Sequence, residues 1–574
     1  MRRLQPLLWA SLIVPSFWGA CAPGLASGDG AGAPSDDGAG GRKASSGGGQ
    51  GSTGGARASG GEAGAAPGAS GGVTGGGTGG RSGEPTCEGG CPRNASCVVE
   101  YDDAFCECDE GYEKDEGKCV DIDECALDEP CGDNALCVNK RGGYECSCEE
   151  GYVGDGESCV PRLRLASVSP SGDPANSFSG SPALSADGLV LAFFSRATNL
   201  VPNDTNDVDD IFVFERETGR VTRVSVSSAG EEANDWSDAP ALCGDGRYVV
   251  FSSIANNLVL DDTNGELDVF RHDRETGETI RVSIAHDGSE LLGGEGYSAS
   301  PSISNDGNRV VFTSMAPNLV PDDTNEYPDQ FVRDILADTI VRANLHSDGT
   351  QVGKLLRTPN STPQISGNGR YVSFVSLWSG LGGDVDDYAD IYRRDLRDGF
   401  THQVSYPPPG FNNDGHAAAA SISGDGRFVV FDSASTTQVE GDTNGATDVF
   451  LRDMNTGVLE RVSVGSDGEE ANGSSYIGAK RAVSNDGRYV IFVSLASNLV
   501  EGDTNGLVDV FVRDRVLKKT IRVNVGPKGE EADHPSSSPT ISADGKIVAF
   551  ESSSETFGVE TDGRPQIWVR DLSP

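Results

Sequence analysis

The sequence predicts an all-β protein: a seven-bladed β-propeller closed by an N-terminal strand, preceded by two small disulfide-rich modules and a disordered tether. Three observations predict it. A turn recurs along the C-terminal four hundred residues, twelve of the 14 cysteines are bunched between 87 and 159, and residues 22–85 are nearly pure Gly, Ser, Ala and Thr. The turn is Ser185-Ala186-Asp187-Gly188, and it returns at Asp245, Asp306, Asn368, Asp425, Asp486 and Asp544, in steps of 58, 61, 62, 57, 61 and 58 residues. A β-rich period of this size marks a propeller or solenoid, and fold alone does not name a function.

Each unit carries four strand-like runs, in the second 239–242, 247–252, 268–272 and 279–284. Asp-Gly or Asn-Gly between the first two is a hairpin signal, because Gly supplies the positive φ. Continuously apolar runs such as Tyr248-Val249-Val250-Phe251 suit strands buried on both faces. Four antiparallel strands arranged radially make a blade. The seventh unit ends after its third strand, at Trp568-Val569-Arg570-Asp571, and the missing fourth precedes the first unit, where Arg164–Ser169 reads like Thr222–Ser227. That strand would close the ring and remove an exposed edge, whereas an open solenoid would need caps at both ends. These units resemble the TolB-type propeller repeat, Ser-Pro-Asp-Gly followed by a strand ending in Phe and then by Ile/Val-Tyr/Phe-Val-Arg-Asp, over roughly residues 162–574. The resemblance implies the propeller and not a role in the Tol envelope system.

The chain opens Met1-Arg2-Arg3, followed by an apolar stretch to Trp18 and then Gly19-Ala20-Cys21. This is the pattern of a secretory signal over 1–20. Cys after Gly-Ala resembles the bacterial lipobox, although Trp18 stands where that motif usually has Leu, and the resemblance implies a diacylated Cys21 as lipid anchor. The alternative is an ordinary cleaved signal. Residues 21–85 then form a tether too poor in apolar surface to fold, spanning roughly 40–50 Å as a flexible coil.

The twelve clustered cysteines form two sets of six, with five residues between second and third, eight before the fourth, one before the fifth and ten before the last. Modules this small depend on cross-links and an oxidising compartment, and spacing alone leaves about fifteen connectivities per set. With Cys-x-Cys followed by Gly111-Tyr112 and Gly151-Tyr152, both sets resemble EGF-like modules, over 86–120 and 121–160. The resemblance implies the pairs Cys87–Cys97, Cys91–Cys106 and Cys108–Cys119, then Cys125–Cys137, Cys131–Cys146 and Cys148–Cys159. The second module opens Asp121-Ile122-Asp123-Glu124-Cys125 and continues Cys137-Val138-Asn139-Lys140, with Gly143 further on, similar to the calcium-binding EGF-like type. Carried over, the side chains of Asp121, Glu124 and Asn139 and the carbonyls of Ile122, Lys140 and Gly143 would hold Ca²⁺, an ion that takes six to eight hard oxygens. The first module lacks this pattern, and calcium at the joint between the two would stiffen the pair into a rod.

A second acidic pattern lies between second and third strands of the blades. It reads Asp204, Asn206, Asp210; Asp262, Asn264, Asp268; Asp323, Asn325, Asp329; Asp384, Asp386, Asp390; Asp442, Asn444, Asp448; and Asp503, Asn505, Asp509, degenerating to Glu560, Asp562 and Gln566. Alternating oxygens look like the start of a calcium loop, but Asp and Asn also tie turns through their own backbone, and the turn reading is preferred. The acidic loops Gly230–Asn234, Gly468–Asn472 and Gly529–Asp533 are expected on the same face.

No catalytic constellation emerges. The six His residues form no metal-spaced pair, no nucleophile elbow or phosphate loop is present, and Cys243 reads as a small buried thiol. A net charge of -43 opposes nucleic acid and anionic lipid as partners. The expectation is therefore a noncatalytic, lipid-anchored protein of the bacterial cell envelope, at the outer membrane or cell surface. It would display the propeller to a protein or glycan ligand on a calcium-bound stalk. The alternatives are a glycan-active enzyme using the propeller funnel and a structural component that binds cell-wall proteins.

Overall fold

The computed structural model describes residues 86–573 except 88, 102, 128–129, 158, 293–295, 354–361, 378–379, 382–386 and 479. The signal segment, Cys21, the tether, Asp384 and Asp386 lie outside the described residues.

Seven four-stranded antiparallel sheets follow one another along the chain, each ordered from an innermost to an outermost strand. In the second blade these are Ser237–Leu242, Tyr248–Ser253, Asp268–Asp273 and Thr279–Arg281. The outer strand ends sooner than its 279–284 pattern suggests. Past Arg281 the Ser283 hydroxyl takes over, accepting the Val269 N–H at 2.9 Å and donating to Asp268 at 2.5 Å. The innermost strand carries a bulge where Ser181, Ala239, Ser300 and Ser538 adopt φ of 49–57° and register shifts by the next pair. A proline follows each of these residues, which an innermost strand tolerates because one edge faces the channel and needs no donor.

The core lies between the sheets. Second and third strands of each blade are almost fully buried, and in six blades they face each other with paired rings, such as Phe251–Phe270 at 5.9 Å and Phe492–Phe511 at 5.8 Å; in the seventh, Phe557 stands between Phe550 and Trp568. Ring stacking of this kind adds about 0.5–1.5 kcal/mol per pair beyond area burial.

Closure is as the end repeats predict. Leu163–Leu165 pairs with Gln566–Asp571, setting Leu165 against Trp568, Arg164 against Val569 and Leu163 against Arg570. The Ser167 hydroxyl donates to Gln566 at 2.7 Å and accepts the Ile567 N–H at 3.0 Å. Ser225 does the equivalent for Asp210 and Ile211 in the first blade. The seven Ser-x-Asp-Gly turns also form a hydrogen-bonded girdle. Ala186 donates to Gly244, Gly244 to Asn305, Asn305 to Gly367, Asn368 to Gly424, Asn485 to Ala543, and Ala543 back to Ala186, at 2.8–2.9 Å. The side-chain oxygen of Asn485 supplies the remaining link to Gly424 at 3.0 Å. These turns require glycine for space as well as for φ: a Cβ on Gly545 would stand 2.2 Å from Tyr489 Cδ2 in the neighbouring blade.

The two small modules each consist of two hairpins, in the second Ala135–Lys140 with Gly143–Cys148 and Tyr152–Gly154 with Cys159–Pro161. All six disulfides join the cysteines that the EGF-like resemblance pairs. Among the described residues of 86–160 only Gly156 is buried, so cross-links do the work of a core. Arg162 alone separates the last module strand from the ring-closing one. Its N–H donates to Gly151 C=O at 2.8 Å, its guanidinium to Tyr152 C=O at 3.1 Å, and its C=O accepts the Asp571 N–H at 2.7 Å.

Candidate metal centres

The second module gathers its acidic opening and its central hairpin at the joint with the first. Asp121 closes the strand Lys118–Asp121, and Ile122 donates to Gly111 C=O of the first module at 3.0 Å. One Asp121 oxygen accepts the Gly142 N–H at 2.5 Å, and the other faces Asn139 Nδ2 at 3.4 Å. Disulfides bring these segments together across some twenty residues of chain, and Gly142 can make the approach because its φ is 78°. A Cβ there would stand 2.9 Å from the Tyr112 ring of the first module. Lys140 turns its ammonium to Glu145 at 3.1 Å. Glu124 opens a single helical turn, Glu124–Leu127, and its Oε2 is buried with no partner among the described residues. A buried carboxylate oxygen without a donor is costly and suits a cation. The donor set is all oxygen: three side chains and the carbonyls of Ile122, Lys140 and Gly143. It therefore fits Ca²⁺.

The propeller loops are built differently. In six blades the third-strand aspartate is buried at the strand's first position: Asp210, Asp268, Asp329, Asp390, Asp448 and Asp509. In all of these but the fourth the same partner recurs. An arginine from the outer strand lies against both acids of its loop. Arg223 Nη1 is 3.2 Å from Asp204 and 3.1 Å from Asp210, and Arg281 Nη1 is 3.2 Å from Asp262 and 3.3 Å from Asp268. Arg342 meets Asp323 and Asp329 at 3.1 Å. Arg461 meets Asp442 and Asp448, and Arg522 meets Asp503 and Asp509, all at 3.2 Å. The guanidinium stands between the oxygens that a cation would need. The intervening amides are also committed, Asn206, Asn264, Asn325, Asn444 and Asn505 each donating to the aspartate four residues on at 2.8–3.1 Å.

A glutamate from the blade-to-blade loop completes four clusters. Glu531 accepts the Thr504 hydroxyl at 2.6 Å and its N–H at 2.8 Å, and pairs with Arg522 at 2.8 Å. Glu232, Glu290 and Glu470 are placed alike, and Gln351 stands in at the third blade. The two kinds of acidic loop thus share a face, as expected. The second glutamate of each Glu-Glu pair is turned inward and held by its cluster.

These contacts set the charges. Burial pushes Asp204, Asp262, Asp442 and Asp503 up to about 6. The Thr504 and Arg522 bonds hold Glu531 down at about 2. Two blades depart from this arrangement, the seventh in both acid and base and the fourth in the base alone. Where the buried acid becomes Gln566, the residue opposite Trp568 is Leu165, not arginine. In the fourth blade Asp390 is met by Ser405 and by Asn413 at 3.0 Å, and Gln403 holds the arginine position. Sequence reading missed these arginines, yet their signal was present: a basic residue at one fixed place in the outer strand of five blades.

Cys243 replaces serine in its turn and keeps the serine's bonds, donating to Asp245 and accepting the Tyr248 N–H, both at 3.0 Å. Burial pushes the thiol up to about 12, which leaves it unreactive near neutral pH.

The chain is similar to several solved structures, each at low identity. TolB from Acinetobacter baumannii is 16% identical with a TM-score of 0.34, the match covering 59% of this chain and 65% of that one, less than two thirds of its length. An oligogalacturonate lyase from Vibrio parahaemolyticus is 13% identical with a TM-score of 0.43, covering 74% and 96%. The β-propeller domain of the Trilobed protease from Pyrococcus furiosus is 10% identical with a TM-score of 0.41, covering 69% and 98%. No curated protein matches the chain. Residues 121–159 match the family of the calcium-binding EGF domain, the segment that holds Asp121, Glu124 and Asn139.

Proposed function

We propose that this protein is a noncatalytic binding platform. The propeller is the head, the EGF-like pair is a calcium-stiffened stalk, and the tether with a lipidated Cys21 is the anchor at a bacterial cell surface. The observation that supports it most is the joint between the modules. Gly111 C=O accepts from Ile122, Tyr112 packs on Gly142, and Asp121 with Glu124 offers carboxylate oxygens beside them. An ion held there fixes the angle between the modules, which a stalk needs and a hinge does not. At the other end, the closing strand follows the second module after one residue, so the head is carried rigidly.

The face bearing the Asp-x-Asn loops carries a cavity of about 460 Å³ between the third and fourth blades, bordered by Tyr297, Tyr327, Gln330, Asn344 and Thr362. Aromatic rings with neutral amides suit a glycan, and a protein ligand would use the wider face. Such a cavity is in the range of small-molecule sites.

The test is to probe glycan and envelope-protein arrays with the intact chain, with and without calcium, beside E124A. Ligand capture that persists in E124A but loses its calcium dependence supports the reading. Turnover of any glycan on the array overturns the noncatalytic part. In cells, Cys21→Ser should move the protein from membrane to soluble fractions; a mutant that still sediments with membranes overturns the anchor.

A further inference from the structure

The girdle end of the central channel holds a cavity of about 50 Å³. Six blades line it with small or neutral side chains: Ala183, Ala241, Ser302, Gln364, Ile422 and Thr540. The sixth blade differs. Its Ser484 lies nine positions after Ser475, where six separate Ser179 from Ser185 and Ser536 from Ser542. The longer segment brings in Lys480 and Arg481, the charged residues among the described lining. Neighbouring blades fix both backbones: the Ser421 hydroxyl donates to Lys480 C=O at 3.4 Å and accepts the Ala482 N–H at 2.8 Å, and Arg481 C=O accepts the Ile541 N–H at 3.2 Å.

The two cations are used differently. Lys480 crosses the channel to the second blade, where Nζ donates to Ala239 C=O and Pro240 C=O, both at 2.7 Å, with Asp238 nearby. Arg481 Nη1 is buried and has no hydrogen-bond partner among the described residues. The carboxylate acting on it is that of Asp187, whose Oδ1 is engaged in its own turn by Ser185 at 2.5 Å and the Leu189 N–H at 3.0 Å and which makes no hydrogen bond to Arg481 Nη1. Burial lowers Arg481 to about 10 and Lys480 to about 8, and both remain cationic at neutral pH.

We propose that the central channel is a binding site for one small anion of halide or formate size, held by the Arg481 guanidinium beside the turn girdle. A desolvated guanidinium N–H with no acceptor is satisfied most directly by an anion, and charge-assisted bonds of this kind are the strong ones. Size restricts the class. A cavity of 50 Å³ has room for about three water molecules, which admits bromide, chloride or formate and shuts out a sugar ring. Asn485 and Asn305 border the same cavity and bring amide donors to it.

The test uses the full chain in chloride-free buffer, with ionic strength balanced by gluconate, which is too large to enter. Bromide and formate are titrated separately while the melting temperature is followed, and crystals soaked in bromide are examined by anomalous scattering. A saturable rise with either ion, with one bromide beside Arg481, is expected; which ion acts distinguishes a halide site from a carboxylate site. Both responses should vanish in R481Q. They should also vanish in Asn485→Asp, which keeps the acceptor for the Gly424 N–H and adds a carboxylate oxygen of its own, so this variant decides the case if R481Q does not fold. No bromide in the channel, a response unchanged in Asn485→Asp, or peaks confined to the surface (an adventitious ion only) would overturn the proposal.

Discussion

Removing the closing strand should cost the ring most of its stability. A chain starting at Gly172 loses the three residue pairs between Leu163–Leu165 and Gln566–Asp571. It also loses the Ala166 N–H bond to Ile567 C=O at 2.8 Å, the Asp571 N–H bond to Arg162 C=O at 2.7 Å, and both bonds of the Ser167 hydroxyl. Each such bond contributes about 1 kcal/mol net. Leu163 and Leu165 pack half-buried on the core that contains Trp568, and Ala166 is fully buried, which adds roughly 2 kcal/mol. The loss is on the order of 6 kcal/mol, comparable with the 5–15 kcal/mol by which a domain is usually stable. The edge of Gln566–Asp571 is then open to pairing between chains. Urea unfolding of chains starting at Arg162 and at Gly172, followed by tryptophan fluorescence, should give a much lower midpoint for the shorter one and aggregation on refolding. Within the intact chain, Ser167→Ala should cost about 1–3 kcal/mol, since it strands a buried N–H and a buried amide oxygen. Equal midpoints for the two fragments would refute closure by this strand.

The other predictions concern the clusters and turns. Asp509→Ala takes one of three acidic partners from Arg522 and an acceptor from each of the Asn505 and Asn524 amides, and should destabilise by about 3–5 kcal/mol, with calcium titration of the chain unaltered; lost calcium binding would mean that the loop holds an ion after all. Gly545→Ala forces a side chain into φ 77° and against Tyr489, and a cost below about 1 kcal/mol would show that the turn packing is loose. For pH, the raised aspartates Asp204, Asp262, Asp442 and Asp503 bind protons in the folded state that the unfolded chain releases between 3.8 and about 6. Stability should therefore fall as pH rises through that window. The opposite holds for Glu531, whose contribution is present above 4.5 and lost as pH falls towards about 2. Melting curves of the chain and of Asp503→Asn should show a shallower decline between pH 4 and 6 in the variant; identical slopes would assign the decline elsewhere.

The blade architecture was legible because each repeat states its own turn chemistry. Ser-x-Asp-Gly fixes a hairpin through the Ser hydroxyl, the Asp carboxylate and a positive-φ glycine, and the same three bonds recur even where Cys243 replaces serine. The disulfide pairs were legible only through the family resemblance, since spacing left the connectivity open. The acidic loops were half legible. Their carboxylates stand within seven residues of one another, and so they read as a local motif. Their arginine lies 13 residues past the buried aspartate, on the next strand, where a local pattern does not reach. The channel cations were not legible, because Lys480 and Arg481 mean something only once seven inner strands face one another.

The same geometry explains why the acids recur without a metal ligand set. A third strand that begins with a buried aspartate needs donors on every oxygen lone pair. The fold supplies them from the loop before it (Asn505), the outer strand (Arg522) and the residue two beyond that arginine (Asn524). Remove the acid and the base has no purpose, which is what the pairing of Gln566 with Leu165 displays in the seventh blade. The arginine goes where the acid goes, but the acid can stand without it: in the fourth blade Asp390 is held by Ser405 and Asn413, with Gln403 in the arginine's place. A carboxylate that already faces a guanidinium gains little from calcium. Of the two acidic motifs in this chain, the one suited to bind the ion is the one whose acids form no ion pair with an arginine among the described residues: Asp121 and Glu124.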